Sequence, residues 1–139
     1  MIVCDTGPLV AAAFTKDPDY HACAELFTSL HLANRPMLVP TPVLGEVGYL
    51  LGNLAGPRTE AALLRSLAAG DFTALDPIGE DYRRTAELVE KYADLPLGTC
   101  DAIVIAVAER LGITEVATLD HRHFTVVRPR HVQALTLLP

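Results

Sequence analysis

The sequence predicts a three-layer α/β/α fold, with helices covering both faces of a central parallel sheet of four to five strands, and three observations predict it. Short apolar runs at residues 2–4, 37–39, 72–75 and 116–119 read as strands, the first of them without a polar residue, as expected of strands buried on both faces. Longer segments with apolar residues at helical spacing separate them. Parallel neighbours need long crossovers, and those crossovers are usually helices. The ten prolines fall at the boundaries between these elements and do not cluster into a linker.

Each element has a local reason. Ile2, Val3 and Cys4 form the first strand, and Thr6-Gly7-Pro8 opens a short helix over residues 9–14, with proline suited to a first turn. Asp17 or Asp19 caps a second helix that runs to about Leu32. Residues 37–39 are a strand, and Pro42 begins a helix to about Leu54. Gly56-Pro57 breaks that helix before another over residues 58–69, which Gly70 stops. Residues 72–75 give the third strand and residues 80–92 an amphipathic helix. A helix over residues 101–111 ends at Gly112, residues 116–119 form the fourth strand, and residues 125–127 are a candidate fifth.

No repeat or low-complexity tract divides the 139 residues, so one domain spanning 1–139 is expected. Half of the residues are hydrophobic, yet the longest uncharged apolar run, 102–108, falls far short of the ~20 residues that a bilayer span needs. Met1 leads straight into the first strand with no basic leader, and the expectation is a cytoplasmic protein without a membrane anchor. Cys4, Cys23 and Cys100 show no C-x-x-C spacing and read as reduced thiols packed as small apolar residues. A net charge of -6 is the wrong sign for a broad nucleic-acid-coating face. The charge is uneven, however, since His121, Arg122, His123, Arg128, Arg130 and His131 form a basic segment with no acid after Asp120.

Four acids stand out by position. Asp5 follows the first strand and Asp120 the fourth, so a parallel sheet brings both to its carboxyl edge, where ligands bind in open α/β sheets. Asp101 opens the apolar helix DAIVIAVAERLG, and Glu46 lies on the border of the apolar stripe Val43, Leu44, Val47, Leu50, Leu51 and Leu54. Each has a structural explanation of its own: a turn for Asp5 and Asp120, a helix cap for Asp101, a solvated border for Glu46. Together they are harder to dismiss, because carboxylates gathered at about 5 Å repel by about 3 kcal/mol per pair at an effective dielectric near 20. No lysine or arginine stands within five residues of Asp5, Glu46 or Asp101 to offset that charge. An all-oxygen donor set suits Mg2+ or Mn2+, whereas zinc favours cysteine and histidine. His121 and His123, read as facing the same way on a strand, are a weak zinc signal and fit an RNA-facing role better.

These residues, carried in DTGPLVA, PTPVLGEVGYLL, DLPLGTCDAIVIAVAERLG and VATLDHRHF, resemble the PIN-domain family, specifically toxins of the VapC type, over essentially the whole chain. The resemblance implies a divalent-metal-dependent endoribonuclease that hydrolyses RNA phosphodiesters with a metal-activated water. It also implies a toxin-antitoxin module, with a VapB-type antitoxin as partner and a homodimer as the common assembly. Asp5, Glu46, Asp101 and Asp120 match the family's metal-site acids, while Thr6 and Thr118 match the hydroxyl residues that flank them. Arg122, His121 and His123, beside Asp120, are the expected RNA contacts. Asp94 is a candidate fifth acid, although a loop role suits it better.

Rival chemistries lack parts. Asp5-Thr6-Gly7 spells the aspartic-protease triplet, but that enzyme needs two such aspartates on an all-β fold. A haloacid-dehalogenase-like phosphatase wants an aspartate where Gly7 stands, and no phosphate-binding glycine loop is present for nucleotides. The remaining alternative is a non-catalytic PIN scaffold that binds RNA or a partner protein.

Overall fold

The computed structural model describes residues 1–139. The order is β1 (Ile2–Cys4), α1 (Thr6–Ala13), α2 (Tyr20–Leu32), β2 (Met37–Pro40), α3 (Thr41–Ala55), α4 (Pro57–Ala69), β3 (Thr73–Leu75), α5 (Gly79–Lys91), α6 (Thr99–Leu111), β4 (Glu115–Ala117), α7 (His121–Val126) and β5 (Thr136–Leu138). The five strands form one sheet in the order β3-β2-β1-β4-β5, and every neighbouring pair is parallel. The chain steps outward from β1 to β2 and β3, then returns to β4 on the other side of β1. That reversal between β1 and β4 is the switch point at which such sheets open a crevice.

Right-handed crossovers place the helices of the outward run on one face and those of the return run on the other. Packing agrees, with α1 against α2 and α3, α3 against α4, and α5 against α6. Ile2, Val3, Cys4, Val39, Val116 and Ala117 are fully or almost fully buried, as strands between two helical layers must be. Of the core helix α6, all residues from Ala102 to Ala108 are buried, and the helix stops where Gly112 adopts φ 66°. Cys4 and Cys23 pack in the interior as free thiols. No helix is long and apolar enough to cross a membrane.

Two expectations need correction. Residues 125–127 are not a strand: Asp120 caps a helix there by accepting the His123 N–H at 3.0 Å, and Thr125 Oγ1 donates back to the His121 carbonyl at 2.6 Å. The fifth strand lies further on, at Thr136–Leu138, where it pairs with β4. The first helix also starts earlier than expected, at Thr6, because the Thr6-Gly7-Pro8 segment is itself its first turn.

The return layer is pinned by charge. Asp81, 1% exposed, accepts the Ile78 N–H at 2.9 Å and Arg110 Nε at 2.8 Å, tying the start of α5 to the end of α6. Asp81→Ala strands both donors, and denaturant unfolding should show a loss of roughly 2–4 kcal/mol. A loss below about 0.5 kcal/mol, the size of a surface change, would contradict this role.

Candidate active site

Backbone bonds extend the sheet ladder one step past its strands: the Asp5 N–H donates to the Ala117 carbonyl at 2.9 Å, and the Thr118 N–H to the Leu138 carbonyl at 2.9 Å. The residues that leave the sheet at the switch point are therefore as fixed as the strands themselves. Thr118, fully buried, donates its hydroxyl to Asp5 Oδ2 at 2.9 Å and accepts the Asp120 N–H at 3.0 Å, so one side chain orients both strand-end acids. Across the cleft, Thr6 Oγ1 donates to Glu46 Oε2 at 2.8 Å, linking the first turn of α1 to α3. Asp101 is the third residue of α6, reached after the Gly98 cap.

Asp5, Glu46, Asp101 and Asp120 all line one open cleft of about 700 Å³, joined by Thr6 and by Cys100. No lysine or arginine lines it, and none forms an ion pair with any of the four acids. Asp5 is only 5% exposed, and burial, with the charges of Asp101 and Glu46 behind it, raises its carboxyl from 3.8 to about 6. The Thr6 N–H and the Thr118 hydroxyl oppose that rise without cancelling it. Burial and then the Asp120 charge also hold Asp101 above its ordinary range, against the pull of its hydrogen bond to His123. Burial pushes the Cys100 thiol up to about 12, helped by Glu46, so it is a neutral wall of the cleft and not a nucleophile.

The sequence-derived set thus converges: Asp5, Glu46, Asp101, Asp120 and Thr6 line one cleft, with Thr118 directly beneath. Asp94 does not join them; it is exposed in the turn after α5. The two histidines part company, because on helix α7 residues two apart point to different sides. His121 and Arg122 are exposed beside Asp120. His123 turns inward, with Nδ1 2.6 Å from Asp120 Oδ2 and 3.1 Å from Asp101 Oδ2. Sequence reasoning missed this contact, and the available signal was the Asp-x-x-His spacing, in which the third residue of a helix reaches back to its cap. Of the basic segment, Arg130 pairs with Glu87 at 2.9 Å and gives its N–H to Glu109, while His131 Nε2 meets the Ile113 carbonyl at 2.7 Å. Those two are engaged elsewhere and leave Arg122, exposed and two residues after Asp120, as the unpaired cation next to it in the chain.

Donor atoms of Asp101, Asp120 and His123 lie within 4.8 Å of one another, a spacing able to hold a metal ion. The carboxylates around them make the donor set of the cleft predominantly hard oxygen, which fits a divalent cation and no anion.

The chain is similar to known proteins in sequence and in fold. The PIN domain model matches residues 2–128. The chain is 32% identical to Ribonuclease VapC26 of Mycobacterium tuberculosis over 139 residues, covering 99% of this chain and all of that one. Its fold resembles the crystal structure of Mycobacterium tuberculosis VapC20, a Sarcin-Ricin loop cleaving toxin, with TM-score 0.77 and 19% identity over 96% of this chain and 99% of the other. It also resembles a chain of VapBC2 from Rickettsia felis, solved bound to a DNA fragment from their promoter, with TM-score 0.70 and 18% identity over 99% and 97% of the two chains.

The raised Asp5 carboxyl sets a pH dependence for the metal-free protein. A folded value above the unfolded one favours the protonated form, so the contribution is complete below about pH 3.8 and is lost as pH rises through about 6. Asp5→Asn removes that loss. Without divalent cations the variant should be more stable than wild type at pH 7.5, by up to roughly 3 kcal/mol, with the difference shrinking as pH falls through 6 toward 4. Unfolding curves at several pH values check this, and a difference independent of pH would contradict it.

Proposed function

The chain belongs to the PIN-domain family, within which it is VapC-like, and on that premise we propose that it is a divalent-metal-dependent endoribonuclease, the toxin of a VapBC-type toxin-antitoxin module. One observation carries the reading: four carboxylates from separate elements line a single cleft at the sheet's switch point, and no lysine or arginine pairs with any of them. The ribonuclease relative, alike over the full length of both chains, supports the same conclusion.

In this proposal Asp5 and Asp101 are the principal ligands of a Mg2+ or Mn2+ ion, and Glu46 and Asp120 complete the site directly or through water. A divalent cation there supplies Lewis acidity for hydrolysis of a phosphodiester and positive charge for its transition state. The protein's own groups do the rest. Thr118 holds Asp5 in one orientation, and Glu46, steadied by the Thr6 hydroxyl, orients the attacking water and accepts its proton. Arg122, with His121 next to it, meets the phosphates of the incoming RNA at the rim.

The partners follow from the same premise. A VapB-type antitoxin holds the enzyme inactive, and a neighbour of this fold solved as VapBC2 supports such a partner. A homodimer of single-domain chains, acting in the cytoplasm, completes the proposal.

The test is cleavage of structured RNAs by the purified protein freed of any antitoxin. Cleavage should require Mg2+ or Mn2+, stop in EDTA, and fall on the order of a hundredfold or more in Asp5→Asn. Cleavage that persists in EDTA would contradict the metal reading, and RNA binding without cleavage would point to the scaffold alternative.

A further inference from the structure

His123 has no place in the all-oxygen site just proposed, yet it is the side chain in closest contact with two of that site's acids. Its Nδ1 lies 2.6 Å from Asp120 Oδ2 and 3.1 Å from Asp101 Oδ2. Neighbouring ligands of a six-coordinate ion with bonds of 2.0–2.1 Å stand about 3 Å apart, so the nitrogen already sits at ligand spacing from both oxygens. The two acids come from different elements, α6 and the β4–α7 turn, and the imidazole is what they share.

The turn also holds this arrangement in place. Asp120 Oδ1 accepts the His123 backbone N–H at 3.0 Å, which leaves Oδ2 turned to the ring. The histidine side chain is 20% exposed and that of Asp101 18%, so both are largely withdrawn from solvent. As a salt link alone the contact would set one histidine against two acids and leave Asp5 and Glu46, in the same cleft, without a cationic partner. An imidazole at a metal centre, by contrast, changes which ion is held. Mg2+ takes oxygen donors and water, whereas transition ions accept imidazole readily.

We propose that His123 donates a nitrogen ligand, with Asp101 and Asp120, to the divalent ion of the cleft, and that this mixed donor set makes the protein select Mn2+ over Mg2+. The proposal rests on the metal-dependent reading above and adds to it the identity of the ion. Its consequence is that the ion with the higher affinity is the one that imidazole recognises, whatever the more abundant cation.

Electron spin-echo envelope modulation of Mn2+ bound to the metal-free protein reads the ligand directly and needs no turnover. Wild type and His121→Gln should show modulation from a coordinated 14N nucleus. Labelling the wild type with 15N-histidine should remove that pattern, a control that does not depend on any variant folding. His123→Gln should lose the modulation and bind Mn2+ at least about tenfold more weakly, while Mg2+ binding falls by less. Equal losses for the two ions would overturn the selectivity. Mn2+ bound to wild type without nitrogen modulation would overturn the His123 assignment and leave the carboxylate site standing, whereas no Mn2+ binding at all would overturn both.

Discussion

Mutual repulsion among carboxylates is the constraint around which this protein is built. Four acids meet at one cleft, and Asp5, the most buried of them, is held there by the sheet although burial and its neighbours favour its neutral form. Folding alone would relieve such a cluster by turning a side chain outward or by recruiting an arginine. Neither happens, although the chain builds arginine pairs elsewhere, on Asp81 and on Glu109. No lysine or arginine offsets the charge of the cleft, and the proposed cation is what would relieve it.

The scaffold supplies the stiffness that this requires. β1 is buried between two helical layers and flanked by strands on both sides, and its ladder with β4 continues through Asp5 before the chain turns away. Thr118 sits in the same register on β4's side and secures Asp5 through its hydroxyl, while its own backbone is tied to β5. A carboxylate on a free loop would swing away from its neighbours; one fixed by two ladders cannot. Glu46 is the exception. It stands exposed on a helix, accepting from the Thr6 hydroxyl, and so keeps the freedom that its proposed part in proton transfer needs.

Much of this was legible in the residues themselves. Apolar strands separated by helical periodicity give the parallel sheet, and a parallel sheet sends every strand-end acid to one edge, so Asp5 and Asp120 could be paired across more than a hundred positions. What escaped notice was decided by single contacts. Thr125, Val126 and Val127 carry the β-branched character of a strand, but a capping bond from Asp120 sets a helix that runs through Val126, and that helix turns His123 into the cleft and His121 out of it. β5 follows an irregular stretch whose sequence gives no alternation to read. Arg130 looked free because its partners, Glu87 and Glu109, lie far back in the chain on α5 and α6.

The central claim is that the four carboxylates form a divalent-cation site, and anomalous scattering from crystals grown with Mn2+ tests it most directly. The account predicts a strong anomalous peak inside the cleft, within bonding distance of the Asp5 and Asp101 carboxylates. A cleft that stays without a peak at saturating Mn2+, while its acids remain gathered around it, would contradict the account.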